Sequence, residues 1–354
     1  MVQPERPSTR YPYVSVSPSA QVWLQMQADL CAPNTASAYG RALDDYLRFT
    51  AEQGVLLESA PRDHIAAYVR SLTSRPARRV ASAASTPALP GFPAPGLANA
   101  TIQQRLTVIR LFYDYLIEEG TRPNNPVGRG RYTPGNHFGE GFSRGLLPRY
   151  RVLPWIPNDD EWHAVLRAAQ AAPLRTRVML AFAYDAGLRR SELCALAIRD
   201  IDPATRLLHL RAETTKNGRS RVVPYSEASG ELYAAYLTHR QTLSRSRGNL
   251  FVSESRRNRG APITIWTWSK VIQQLARQAG VPQFTTHTLR HLCLTDLARA
   301  GWDLHEIAAF AGHRSLASTL LYIHLSGREL AAKVERSMHS MHAWRMGLVK
   351  EAFR

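Results

Sequence analysis

Apolar residues recur at steps of three and four along most of this chain, a period that predicts helices. Ser19 to Gly54 carries two such runs. Val22, Trp23, Met26 and Leu30 mark the first, and Tyr39, Leu43, Tyr46, Leu47 and Phe49 the second. Asn34 or Thr35 suits the cap of the second helix, and Gly54 its end. Pro61 to Ser74 predicts a third helix with Ile65, Tyr68, Val69 and Leu72 inward. Asn99 to Gly120 predicts a long fourth, through Ile102, Leu106, Ile109, Phe112 and Leu116. From Pro157 the rhythm resumes. Asn158 or Asp159 caps a helix through Trp162, Val165 and Leu166, and the apolar run Pro173 to Ala186 predicts a buried one. Short strands are expected at Arg199 to Ile201, Leu207 to Leu210 and Ser220 to Val223. The Asn217-Gly218 pair between the last two is a hairpin signal. Helices return at Glu227 to Leu243 and Thr264 to Ala279, then across Thr285 to His324. Residues 327–347 form a last amphipathic segment with Leu330, Val334, Met338, Met341 and Trp344.

The predicted fold class is mainly α with a small β-sheet or hairpin. Breaks in the pattern divide it. Residues 1–18 are Pro/Ser-rich and read as a disordered arm. Residues 19–120 read as a four-helix domain, interrupted at 74–96 by an Ala/Pro/Ser-rich loop that prolines keep from being helical. Residues 121–154, rich in Pro, Gly and Arg, read as an interdomain linker. A second domain follows over 155–345, with a tail over 346–354.

Charge sharpens this outline. Forty-five Lys and Arg against 28 Asp and Glu give a formal net charge of +17, which points to a polyanionic partner, above all nucleic acid. Nearly all of the positive charge is arginine: lysine occurs only at 216, 270, 333 and 350. No stretch is long and apolar enough for a membrane helix, and the N-terminus lacks the apolar core of a signal peptide. Cys31, Cys194 and Cys293 are far apart and form no metal spacing. A cytoplasmic, nucleoid-associated setting is expected, with no metal and no cofactor.

Candidate chemistry gathers in the second domain. His287, Arg290 and His291 stand at i, i+3 and i+4 and share one helix face. Gly312-His313 follows an apolar run, and Tyr322 comes nine residues after His313. Upstream lie Arg189 and Glu192 in GLRRSEL and Lys216 at the lip of the predicted hairpin. A phenolic oxygen is a possible nucleophile toward a phosphodiester. Two guanidinium forks can carry the extra negative charge of the transition state without a metal. A lysine can protonate the departing 5′ oxygen, and imidazoles can share the proton traffic. Taken singly each of these residues is ordinary. His291 reads as a satisfied structural histidine, and Tyr322 sits among Leu320, Leu321 and Ile323 as a core residue does.

GLRRSEL around Arg189, TKNGRSRVVP around Lys216, HTLRH at 287–291, Gly312-His313 and STLLYIH ending on Tyr322 and His324 together resemble the tyrosine recombinase (phage integrase) family. The ending is similar to that of Xer-like and transposon-type members. The resemblance is firm over residues 155–345, and residues 19–120 look like the family's helical core-binding domain. It implies Arg189 and Arg290 as phosphate clamp, Tyr322 as nucleophile, Lys216 as general acid, His287 and His313 as assisting base and acid, and Glu192 as a supporting carboxylate. It also implies double-stranded DNA with inverted half-sites as partner, a homotetramer on two duplexes, and no nucleotide or metal. Integration, excision or transposition of a mobile element is the expected role.

Two other readings stay open at this level. Asp303 to Ile323 has the rhythm of a helix-turn-helix, which suits a non-catalytic DNA-binding regulator. The same residues also suit a type IB topoisomerase acting as a monomer.

Overall fold

The computed structural model describes residues 10–75, 96–128 and 154–325, with side chains as far as Tyr322. The expected loop tip, most of the linker, the last amphipathic segment and the tail lie outside the described residues. These fall into two compact units, one of residues 10–128 and one of residues 154–325. Both are mainly helical, and the second adds a three-stranded antiparallel sheet. No helix among the described residues is long and apolar enough to cross a membrane.

The first unit packs five helices: α1 (Pro12–Ser15), α2 (Pro18–Leu30), α3 (Pro33–Glu52), α4 (Arg62–Ser74) and α5 (Asn99–Glu118). Residues 10–18, expected as part of a disordered arm, are folded. The Tyr11 ring lies against Gly40, where a Cβ would come within 2.2 Å of it, and Tyr11 Oη donates to Ser37 O at 3.1 Å. Asp44 Oδ1 accepts from the Tyr13 and Val14 amides at 2.7 and 3.1 Å, which ties α1 to α3. Composition signalled disorder, but two apolar residues and one carboxylate suffice to dock so short a segment.

The stripe read on α2 is corrected too. Ala20, Trp23 and Leu24 are buried, whereas Val22, Met26 and Leu30 are exposed. Trp23 decides the facing, because its ring packs edge-on against Phe112 and parallel to Tyr39. α3 starts at Pro33, so Pro33, not Asn34 or Thr35, sets its first turn. Residues 121–128, expected to open the linker, belong to this unit. The Arg122 guanidinium donates to Leu57 O and Ala60 O and lies over the Tyr113 ring, and Val127 is buried.

The second unit holds α6 (Asp159–Gln170), α7 (Leu174–Asp185), α8 (Arg190–Ala195), β1 (Ile201–Asp202), β2 (Leu207–Leu210), β3 (Arg221–Pro224), α9 (Glu227–Gln241), α10 (Ile265–Gln278), α11 (Thr286–Arg299), α12 (Leu304–Ala311) and α13 (Leu320–Leu325). Asn158 opens α6 with a reciprocal cap to Glu161. The strand expected at Arg199 to Ile201 is instead a 3₁₀ turn over Ile198–Asp200 leading into β1. Asp200 favours the turn by accepting from the Ala197 amide at 2.8 Å. The sheet order is β1-β2-β3, with Leu208 opposite Val223 and Leu210 opposite Arg221. α7 and α11 run through the core, where Phe182, Met179, Leu289 and Leu294 are buried with Trp268 and Phe251. The ends of α7, α11 and α12 thereby converge, and the candidate residues sit there.

Candidate active site

Three arginines organise this convergence by holding the C-terminal end of α12. Helices leave their last carbonyls without intrahelical partners. Here Arg221 Nε donates to Phe310 O at 3.0 Å, Arg290 Nη2 to Ala311 O at 2.5 Å, and Arg189 Nη2 to Gly312 O at 3.3 Å. Arg290 Nη1 also donates to Gly187 O at 2.6 Å, in the turn after α7. Arg290 is only 3% exposed, and burial with the nearby Arg189 charge brings its pKa down to about 10, still cationic at neutral pH. A guanidinium has five N–H donors, so Arg189 and Arg290 each keep donors beyond those on backbone carbonyls.

Gly312 closes α12 in the left-handed region, φ +62°, and a Cβ there would lie 3.0 Å from Arg221 Nη1. The left-handed backbone favours glycine, and a Cβ would also press on the Arg221 fork. The chain then turns so that His313 Nδ1 lies 2.8 Å from Thr319 Oγ1, a fully buried hydroxyl.

Glu192 lies beneath the arginines at 0% exposure. Its carboxylate takes a two-pronged contact from Arg221 at 3.0 and 2.8 Å, and accepts from Arg189 Nη1 at 2.8 Å and the Arg189 amide at 2.9 Å. Burial alone would raise its pKa; the Arg221 fork and the Arg189 contacts outweigh that and hold it at about 2.

Tyr322, at the start of α13, is 3% exposed, with its hydroxyl in the same cluster. Oη is 3.0 Å from His291 Nδ1, and the ring lies parallel to that of His313, centroids 6.0 Å apart. Burial pushes the phenol above its ordinary pKa, and the Arg290 and Arg189 charges offset only part of the rise. His287 stacks on His291 with centroids 5.8 Å apart.

Arg189, Glu192, Arg290, His313 and Tyr322 therefore share one site, with His287 beside it. Lys216 does not join it by contact. It is exposed on the loop between β2 and β3 and makes no hydrogen bond or ion pair among the described residues, although its charge is felt by His287. Two further residues, Arg221 and Thr319, are not singled out by the sequence, and two that are, His291 and Asn217, meet the site in ways it does not specify. Arg221 was signalled by strand alternation: it shares the inward side of β3 with buried Val223, while Val222 is 50% exposed. His291 reads in the sequence as a satisfied structural histidine, and the group that satisfies it is the Tyr322 hydroxyl. Thr319 carries no local signal and Asn217 only that of a hairpin turn, because their partners, His313 and Gly312, are defined only by the fold. The helix-turn-helix rhythm at 303–323 does not form a projecting recognition helix. Between α12 and α13 lies a 3₁₀ turn over Leu316–Ser318, and Thr319 and Tyr322 point into the unit.

The imidazoles give a pH signature. Burial, assisted by neighbouring positive charge, lowers both His291 and His313 from 6.5 to about 4. The unfolded chain therefore binds more protons than the folded one between those values, and stability rises with pH across that window. It is fully present above pH 6.5 and lost progressively toward pH 4. Glu192 adds its own loss only below about 4.5. Thermal unfolding midpoints should fall from pH 6.5 to 4.5, and the fall should flatten in His291→Asn/His313→Asn.

Known proteins match this architecture. Residues 158–329 match the phage integrase family, and residues 26–120 match the phage integrase N-terminal SAM-like domain. Tyrosine recombinase XerD of Caulobacter vibrioides is 29% identical over 331 residues, covering 89% of this chain and 94% of that protein. Tyrosine recombinase XerC of Roseiflexus castenholzii is 27% identical over 247 residues, 70% of this chain and 72% of its own. Among solved structures, the XerH site-specific recombinase bound to palindromic difH substrate shares the fold with TM-score 0.65 at 18% identity, over 90% of this chain and 84% of that one. The Tn1549 transposon integrase in complex with a circular intermediate DNA does so with TM-score 0.63 at 16% identity, over 84% and 93%. The chain belongs to the phage integrase family of tyrosine recombinases, site-specific enzymes that break and rejoin DNA.

Proposed function

We propose that Tyr322 is the nucleophile and that the cluster around it performs strand exchange as follows. A scissile phosphate lies against the free N–H groups of Arg189 and Arg290. Tyr322 Oη attacks phosphorus and forms a 3′-phosphotyrosine ester, and the bond from phosphorus to the 5′ oxygen breaks. The phenolic proton passes to His291 Nδ1, the nearest base. The leaving 5′ oxygen takes a proton from the Lys216 ammonium. His313 and His287 donate to the phosphate oxygens. Attack by the 5′ hydroxyl of a partner strand reverses each step and releases the tyrosine. The ester conserves the bond energy, so the cycle needs no nucleotide.

A single observation carries this reading: a buried phenol held 3.0 Å from an imidazole in a pocket governed by two guanidinium groups. Charge supports nucleic acid as the substrate, and the resemblance alone supports inverted half-sites in duplex DNA and a homotetramer as the working assembly. Integration or transposition of a mobile element is the role we favour, because the Pro-rich insertion at 74–96 and the tail are elaborate for a housekeeping resolvase.

The test uses a pool of nicked duplexes with randomised cores. Cleavage beside a nick frees a short fragment and traps the ester, so target sequences are recovered as covalent adducts and the modified peptide is mapped. An adduct on Tyr322 is expected; its absence from every pool, or its presence on another residue, overturns the assignment. A plasmid bearing two recovered sites should then yield recombinants. Relaxed plasmid without recombinants would favour the topoisomerase reading instead.

A further inference from the structure

Lys216 has to deliver a proton at the 5′ oxygen, yet its side chain is exposed and makes no hydrogen bond or ion pair among the described residues. A four-carbon stem on a loop samples many positions, and proton transfer needs heavy atoms within hydrogen-bond reach. Something has to fix where the stem begins.

The loop closes on itself through Thr215. Its hydroxyl lies 2.9 Å from both Ala212 O and Arg219 O, which compete for its one proton, and it accepts from the Arg219 amide at 3.1 Å. Gly218 completes the turn at φ +62°. These bonds shape the loop without attaching it to the site. Asn217 does attach it. Its Nδ2 donates to Gly312 O at 3.1 Å, and among the described residues no other side chain of 215–219 hydrogen-bonds outside the loop. The acceptor is informative, because the same oxygen takes Arg189 Nη2, and the next residue is His313. Asn217 is covalently next to Lys216. One carbonyl thus ties the lysine's loop to a clamp arginine and to the imidazole beside Tyr322.

We propose that Asn217 is a positioning residue that docks the Lys216 loop on Gly312 and so sets where the leaving oxygen receives its proton. The inference rests on Lys216 being the general acid, and the experiment separates the two ideas. Cleavage is measured on a duplex recovered in the covalent trap, with either oxygen or sulfur at the 5′ bridging position of the scissile phosphate. With sulfur, the phosphorus–sulfur bond breaks and a thiolate departs without needing a proton. Asn217→Ala is expected to slow cleavage of the oxygen duplex about 10- to 100-fold, a share of the roughly 10²- to 10⁴-fold that general acid catalysis supplies. On the sulfur duplex it should cleave within about twofold of the unmodified enzyme. Lys216→Ala should show the same rescue with a larger initial loss. If Lys216→Ala is rescued and Asn217→Ala is slow on both duplexes, Asn217 does not act through the acid and the inference falls. Wild-type cleavage of the oxygen duplex by Asn217→Ala overturns it as well. If Lys216→Ala itself is not rescued, the general-acid assignment fails first, and the inference with it.

Discussion

Tyr322→Phe is expected to abolish covalent attachment to DNA while leaving the protein folded and able to bind its sites. The ring is buried and lies parallel to His313, and phenylalanine keeps all of that packing. The variant loses a hydroxyl and its contact with His291, which costs about 1 kcal/mol for a hydrogen bond of this kind. Chemistry is affected far more. The other hydroxyl within the cluster, that of Thr319, is fully buried and held on His313 Nδ1 at 2.8 Å. Cys194 and Cys293 are buried, and burial holds both thiols up at about 12. Cleavage should therefore fall by at least about 10⁴-fold, as when a covalent nucleophile is removed. Adduct yield on a nicked duplex, thermal midpoint and DNA affinity check the three parts separately. Adduct persisting in Tyr322→Phe would remove the nucleophile from this account, whereas loss of affinity would make the change structural.

The second large effect is on stability. Glu192→Gln keeps the volume but leaves Arg221 and Arg189 without their buried counter-charge. Breaking a buried pair from one side costs about 3–5 kcal/mol. A carboxyl held at about 2 against an ordinary 4.5 carries roughly 3 kcal/mol by linkage, so the two routes agree in size. Cleavage should fall as well, because Arg189 loses the contact that orients it and α12 loses part of its hold through Arg221. The double variant Glu192→Gln/Arg221→Met should be more stable than the sum of the two single losses predicts, since it removes the stranded cation together with its partner. Additivity in denaturant unfolding would show that the pair does not act as a unit. The network is stabilising only when complete, which is why a charged residue occupies an inward position of β3.

The helices were legible because each is written in local periodicity. α5, α7 and α10 lie within a few residues of where apolar spacing puts them, and Asn158 caps α6 as its side-chain chemistry indicates. The identity of the chemistry was legible too, since arginine, imidazole and phenol recur in recognisable local settings. The failures share one cause. The arm at 10–18 was misread because its docking depends on Gly40 and Asp44 of α3, some thirty positions away. The stripe on α2 was misread because Trp23 found aromatic partners on α3 and α5. The partner of His291 is likewise absent from its local sequence, because the hydroxyl it meets lies 31 residues downstream.

Spacing along a chain reports which residues face inward, and side-chain type reports what chemistry they are capable of; both are properties of neighbours in sequence, and from them came the helical architecture, the polyanionic partner and the roster of candidate groups. Neither reports what a face packs against. Three arginines from three distant elements meet at consecutive carbonyls of α12, Asn217 reaches an oxygen 95 residues away, and Lys216 stands apart from the groups it is expected to assist. Those relations arise only when the core closes, because unpaired carbonyls and guanidinium groups find partners by proximity in space, which folding alone creates.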